Sequence, residues 1–351
     1  MKSLSADDAE PLKITRLAPS KAADWDAYVH AHSQGTFFHL AGWEQVLQRA
    51  FGHSTHYIYA EINGRICGVL PLAEVRSLLF GHTLVSTPFC VYGGIVADDD
   101  AAIAALRDHA CQLARELKVD QLELRNRQRA NPDWPVKELY VTFRKAIAAE
   151  SEANMLAIPR KQRAMVRKGI QKELKAEMDT TVDRVYEIYS ESLRNLGTPV
   201  FSRRYMRILQ EVFGADCEVL TVTNEGQPVA SVLSFLFRDE VLPYYGGGTL
   251  AARAVAGNDF MYWEVMERAR RQGRKLFDYG RSKLGTGSFD FKKNWGFEPE
   301  PLYYEYFLVR AKEVPNLSPT NPKFGLSIRI WQRLPLWLTR RLGPLLAGSL
   351  G

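Results

Sequence analysis

Two hairpin signatures set 162 residues apart (63 to 225) constrain the fold of this 351-residue chain more than any other feature. Tyr57–Leu70 is a pair of alternating runs joined by Asn63 and Gly64, and Val219–Leu233 has the same form around Glu225 and Gly226. Asn-Gly between alternating hydrophobics is a strong hairpin signal. Each hairpin is followed by a Tyr-Gly-Gly, at Tyr92–Gly94 and Tyr245–Gly247, offset by 153 residues (93 to 246). A helical stretch comes next, Ala101–Leu117 in one half and Asn258–Gln272 in the other. Each helix leads into a short strand ending near an arginine, Arg125 and Arg281, offset by 156 (125 to 281). Landmarks in one order at nearly one offset predict duplication of a mixed α/β unit: helices, hairpin, strand, helix, strand. The predicted copies span 12–147 and 180–312, joined by a basic helix at 148–179 and followed by a tail at 313–351.

The length supports two domains that each bury a core. The net charge of +6 is unevenly spread, with cations gathered at Arg160–Lys175 and again after Lys323. That distribution predicts anionic partners at particular places and argues against a general nucleic-acid coat. Ala153–Met178 reads as one helix, with Pro159 marking its first turn and seven cations: Arg160, Lys161, Arg163, Arg167, Lys168, Lys172 and Lys175. It is either a solvated linker or a contact for a diphosphate or an RNA backbone.

Cys67, Cys90, Cys111 and Cys217 have neither metal nor redox spacing and read as buried residues of a reducing compartment. The seven histidines all fall in the first third, with no Cys/His pairs at zinc-ligand spacing, so no metal is expected. The N-terminus is acidic and lacks an apolar run, and no segment reaches the roughly 20 apolar residues that cross a bilayer. The expected location is cytoplasmic, peripheral at the inner face of the membrane if the tail engages it.

The densest chemistry lies in Phe277–Phe297. A short apolar run ends in Asp278 and Arg281, glycines follow, and Lys292 and Lys293 sit among Phe289, Phe291, Trp295 and Phe297. A cation on an aromatic shelf beside a strand end suits a phosphate or a carboxylate under nucleophilic attack. The same residues also fit a surface turn with core aromatics and solvated lysines. Tyr245 precedes Gly246–Gly248, where bare backbone would admit a ligand or simply turn the chain.

The string Asp-Tyr-Gly-Arg-Ser, Gly-Thr-Gly, Phe-Lys-Lys, Trp-Gly-Phe resembles the C-terminal signature of Fem-type (FemAB-like) aminoacyltransferases and their acetyltransferase relatives. Within that family it is most similar to the branch that accompanies exosortase/PEP-CTERM systems. The resemblance implies two tandem GNAT-like acyltransferase domains, in keeping with the duplication. It implies transfer of an aminoacyl or acyl group to an amine of a cell-envelope precursor, peptidoglycan-like or exopolysaccharide-related and in some cases lipid-linked. No bound cofactor is implied; aminoacyl-tRNA or acyl-CoA would be the co-substrate, with tRNA a partner in the former case.

By the same resemblance Lys292 stabilises developing negative charge, with Asp278 and Arg281 beside it, and Phe291, Lys293 and Tyr245 bind substrate. Tyr92 and Asp98 keep their places in a pattern that touches a nucleotide-linked acceptor, although Gly94-Ile95 replaces its Gly-Pro. Arg204 and Tyr205 match a segment that faces the acceptor. The CoA-type phosphate loop is poorly matched by Arg253–Asn258, one residue too long, in which Asn258 serves as a helix N-cap.

Two other functions stay open at this point: an acyl-CoA-dependent N-acyltransferase on an amino sugar, and a noncatalytic membrane-associated protein of an envelope export system. From Lys323 to Gly351 the tail carries Lys323, Arg329, Arg333, Arg340 and Arg341 among tryptophans and leucines, with no acidic residue. It reads equally as a helix in a membrane interface and as one packed on the second domain, broken into short pieces by Pro335 and Pro344.

Overall fold

The computed structural model describes residues 11–77, 81–314 and 325–348. Contacts divide the chain into two units, one running up to Glu138 and adding Leu302–Val314, the other comprising Leu139–Pro301 and the C-terminal helices.

In the first unit, β1 (Lys13–Arg16), α1 (Ala22–Ala31) and α2 (Gly42–Phe51) precede the hairpin of β2 (Ile58–Ile62) and β3 (Arg65–Leu70). Asn63 and Gly64 turn it with φ of 51° and 74°, the left-handed pair of a type I′ turn, whose twist matches the strands. Pro71, which has no N–H to give a ladder, separates β3 from β4 (Leu72–Ser77). β5 (Gly81–Ser86) pairs with β4, and β6 (Val96–Ala97) pairs with β3. α3 (Asp100–Glu116) starts where the Asp99 carboxylate accepts from the Ala102 amide at 2.8 Å. β7 (Gln121–Asn126) then lies parallel to β5, flanked on its outer side by β17 (Tyr303–Leu308), with β8 (Val136–Lys137) beyond. Glu74 is buried on β4, with His56 and His82 at 2.9 and 2.7 Å and Arg76 at 2.8 Å. Burial opposes its charge, but these partners hold the carboxyl down at about 2.

The second unit repeats this plan with a longer hairpin. β11 (Cys217–Asn224) and β12 (Gln227–Phe237) meet at Glu225 and Gly226, φ 50° and 78°, again the type I′ geometry. β13 (Glu240–Gly248) is antiparallel to β12, α8 (Leu250–Val255) and α9 (Gly257–Arg271) follow, and β14 (Leu276–Asp278) lies parallel to β13. β9 (Tyr140–Ala146) flanks β14, and β10 (Lys175–Asp179) flanks β11. The full order is β10-β11-β12-β13-β14-β9-β15, with β15 (Ser282–Lys283) and β16 (Pro299–Pro301) both on β9. The result is a mixed α/β architecture of tandem GNAT-like units.

Each unit takes its outer strand from the other stretch of sequence. β9 follows β7 and β8 in the chain yet pairs with β14, and β17 follows β16 yet pairs with β7. The sequence halves 12–147 and 180–312 are therefore not the folded units. The open sides of β7 and β14 are equivalent slots, and each is filled by the strand that the other half supplies.

Four further expectations change. Ala153–Met178 is not one helix: α4 (Ser151–Ala157) stops before Pro159, α5 (Arg160–Gln171) starts after it, and Lys175 to Met178 lie in β10. α5 is no linker either. It buries Val166, and a Cβ on Gly169 would come within 2.7 Å of Phe260 Cβ, so α5 packs tightly on α9. The two Tyr-Gly-Gly landmarks differ, since Tyr92–Gly94 is irregular while Tyr245–Gly247 lies inside β13. In the tail, Pro335 separates α11 (Gly325–Arg333) from α12 (Leu336–Ala347), but Pro344 sits within α12 without ending it. All four cysteines are buried and free. Among the described residues no helix is long and apolar enough to cross a membrane.

Candidate active site

The parallel strands β13 and β14 pair at only two positions, Glu240 with Leu276 and Val241 with Phe277. β14 ends one residue later, whereas β13 continues to Gly248, so its edge opens next to Asp278. Gly246–Gly248 lie on that stretch as strand, not turn. Side chains approach them closely: an added Cβ would stand 2.8 Å from Tyr262 Oη, 2.7 Å from Ser192 Cβ and 2.4 Å from Asn258 Oδ1, respectively. Helix packing against the strand thus accounts for all three glycines. Ala256, not Asn258, is the N-cap of α9, with φ 57°.

Lys292 is carried on α10 (Gly287–Asn294) and is only 9% exposed, although a lysine is almost never buried without partners. Its Nζ donates to the carbonyls of Gly280 and Arg281, each at 3.0 Å, and lies 5.5 Å from the ring centres of both Phe143 and Tyr279. The helix therefore ties down the turn after β14. Burial pulls the Lys292 ammonium down to about 7; Asp278 pushes back, and Arg281 adds to the fall. Two of the ammonium's three N–H groups are used by the carbonyls. In the neutral amine the same two contacts leave a lone pair. Lys292 is thus poised to exchange a proton near neutrality.

Asp278 ends β14 fully buried. Its Oδ1 accepts from the Gly280 amide at 2.8 Å, and Arg144 Nε stands 3.2 Å from Oδ2. Arg144 also pairs with Glu240, so it spans the start of β13 and the end of β14. Arg281 lays its guanidinium over Tyr140, 4.7 Å from the ring centre. Phe291 joins Tyr262, Tyr279 and Trp295 in the aromatic wall around Lys292. Lys293 is exposed, its Nζ 5.8 Å from the Phe289 ring centre. The adjacent lysines thus diverge, as neighbours on a helix do by about 100°.

Tyr205 and Tyr245 are brought together, their hydroxyls 2.8 Å apart, both buried in a cluster with Phe201. Tyr262, whose hydroxyl abuts Gly246, stacks edgewise on Tyr279 at 4.7 Å and so links β13 to the Lys292 wall. Arg204 is exposed on α7 (Arg203–Phe213), turned away from the buried Tyr205 next to it. Tyr92 and Asp98 belong to the first unit. Tyr92 is buried against Phe38 with Arg127 over its ring; Asp98 accepts from Tyr28 at 2.9 Å and from Arg65 at 3.2 Å.

α5 reaches this wall through Asp259, whose carboxylate accepts from Gln162 of α5 and from Trp295 Nε1. The outer face of α5 lines a recess of about 470 Å³ with Arg160, Arg163, Ala164, Arg167 and Gln171, a stripe at helical spacing. Neither Arg160, Arg163 nor Arg167 has a carboxylate partner among the described residues. Among those residues no group of three His, Cys, Asp or Glu is arranged to hold a metal ion.

Sequence reasoning missed Thr142, Phe143 and Arg144, which line the site from β9, and also Tyr279, whose buried hydroxyl has no hydrogen-bond partner among the described residues. Tyr279 sits inside the motif and was within reach. The β9 residues carried no local signal, because their strand belongs by sequence to the first copy.

Residues 158–293 match the acetyltransferase (GNAT) domain family, a window that opens at the start of α5 and closes on the lysine pair. No curated protein matches the chain in sequence. Among solved structures it is similar to FemX, at 15% identity and a TM-score of 0.66 over 85% of this chain and 98% of the other. The C-terminal domain of a putative lysylphosphatidylglycerol synthetase from Agrobacterium fabrum aligns at 13% identity, TM-score 0.55, over 82% and 91%. A tandem GNAT protein from the clavulanic acid biosynthesis pathway aligns at 12% identity, TM-score 0.53, over 84% and 98%.

Proposed function

We propose that this chain is a Fem-like acyltransferase that moves an acyl or aminoacyl group from a phosphate-bearing carrier to an amine of a cell-envelope precursor. The observation that carries the reading is Lys292, a buried cation held by two backbone carbonyls beside the open edge of β13 in a GNAT-type unit. In the reaction the acceptor amine attacks the donor carbonyl carbon and an N–C bond forms. The C–O bond of an ester or the C–S bond of a thioester breaks, and the carrier leaves as alcohol or thiol with the proton the amine gives up. Charge builds on the carbonyl oxygen in between. The third N–H of the Lys292 ammonium would meet it in a site with little water, where such a donor counts most. Asp278 and Arg144 hold the end of β14, and with it the turn whose carbonyls orient Lys292.

The uncompensated arginines of α5 suit the donor's phosphates, which aminoacyl-tRNA and acyl-CoA both carry. Likeness to a protein named a lysylphosphatidylglycerol synthetase favours an aminoacyl donor and an envelope acceptor, while the GNAT domain match favours acyl-CoA. Melting the protein with acetyl-CoA, aminoacyl-tRNA and a UDP-linked peptide in turn separates them, since a ligand of the native state raises the midpoint with its occupancy.

With the donor known, Lys292→Met keeps the stem against Phe143 and Tyr279 and removes the charge. Turnover should fall on the order of 100-fold or more with the fold intact. Lys293→Met, at an exposed position, should stay close to the parent. Equal, mild losses at both positions would remove the basis for catalysis here and favour a noncatalytic envelope protein.

A further inference from the structure

We infer that the two C-terminal helices form a docking face for an anionic membrane surface, a function separate from the chemistry at Lys292. One side of each helix is already used in folding. On α12, Thr339, Gly343 and Ala347 recur every four residues and are buried, and a Cβ on Gly343 would reach 2.7 Å from the Val200 carbonyl oxygen. Arg340 adds a 2.8 Å bond to Ser190 of α6 (Asp183–Leu196). On α11, Ile328 abuts Gly197, and Gln332 donates to the Asn195 carbonyl at 3.2 Å. The helices are held on the second unit and do not need a membrane to fold.

The other side of each helix is exposed. Trp337 and Arg341 lie two residues ahead of the packed Thr339 and Gly343, about 200° round the helix. Trp337 is 66% exposed and Leu345 73%; on α11, Leu326 is 69% and Ile330 52% exposed. Large apolar side chains exposed on both helices mark an interaction surface, and a tryptophan with its polar edge suits a lipid headgroup boundary.

Charge selects the occupant. Arg329, Arg333 and Arg341 are exposed among these residues, and no Asp or Glu occurs from Lys323 to Gly351. Cations beside aromatics and leucines on short helices fit a helix pair lying in the plane of an anionic bilayer. Both helices, of 9 and 12 residues, are too short to span one.

The test is co-sedimentation of the full chain with vesicles of phosphatidylcholine alone and of phosphatidylcholine mixed with phosphatidylglycerol. Binding to the anionic vesicles only, weakening with salt, is expected. Replacing Arg329, Arg333 and Arg341 together by Gln should lower partitioning on the order of 100-fold, roughly fivefold for each charge. Trp337→Ser combined with Leu326→Ser should also release the protein while its melting midpoint holds, because neither side chain packs inside. The proposal is overturned if neither vesicle binds, or if the variants bind like the parent. It is equally overturned if sedimentation velocity shows a dimer that Trp337→Ser dissolves without any vesicle binding, which would make the face a self-interface. Activity of Lys292→Met bears on none of these outcomes.

Discussion

Lys292 shows how one residue is set by neighbours the sequence does not place beside it. Burial removes water from the ammonium, and the carbonyls of Gly280 and Arg281 replace only part of that solvation. The proton therefore leaves near pH 7 in the native state, against 10.5 for an ordinary lysine. Between those values the unfolded chain holds a proton the folded one has lost, so this residue makes stability rise with pH across that window. Below about 7 the native state carries a buried charge at a cost, and each tenfold change in proton affinity corresponds to about 1.4 kcal/mol. Melting midpoints of the parent, minus those of Lys292→Met, should become more favourable from pH 7 to 10. A difference that stays flat across that range would mean Lys292 does not titrate there.

At the scale of the element, α5 combines two faces that a composition count had merged. Val166 and Gly169 lock it onto α9, and Gln162 ties it through Asp259 to Trp295. Arg160, Arg163 and Arg167 face the recess without a carboxylate. On the same unit Arg184, Arg203 and Arg268 are paired with acids, in contrast to the stripe of α5. Replacing Arg163 and Arg167 by Glu should weaken binding of a phosphate-bearing donor at low salt by tenfold or more, at about 1 kcal/mol per charge. The loss should shrink as salt rises, because exposed charges are screened over roughly 8 Å at physiological ionic strength. Isothermal titration at two salt concentrations checks this; an unchanged affinity at low salt would make the stripe a solvated surface.

For the whole molecule the exchange of outer strands decides what folds. A chain of residues 12–147 carries β9 without β14 and lacks β17, while 180–312 carries β17 without β7 and lacks β9. Each half would leave the edge of its parallel strand unpaired and Phe143, or its counterpart on β17, without a core to enter. Neither half alone should melt cooperatively, as followed by near-ultraviolet circular dichroism. A sharp transition from either would show that the exchanged strands are dispensable.

Local chemistry was enough for the hairpins, for α3 and α9 and for the duplication, because type I′ turns and apolar periodicity act over a few residues. Asp278, Arg281, Phe291 and Lys292 were legible as neighbours because they lie within one short stretch of chain. Tertiary structure alone decided that Lys292 is buried and Lys293 is not, that Arg144 braces Asp278, and that the glycines of β13 make room for Tyr262, Ser192 and Asn258. It also decided which strand fills which slot. Two copies of one unit present nearly the same edge, and pairing by backbone hydrogen bonds does not distinguish them; only packing over the full chain selects the exchanged arrangement.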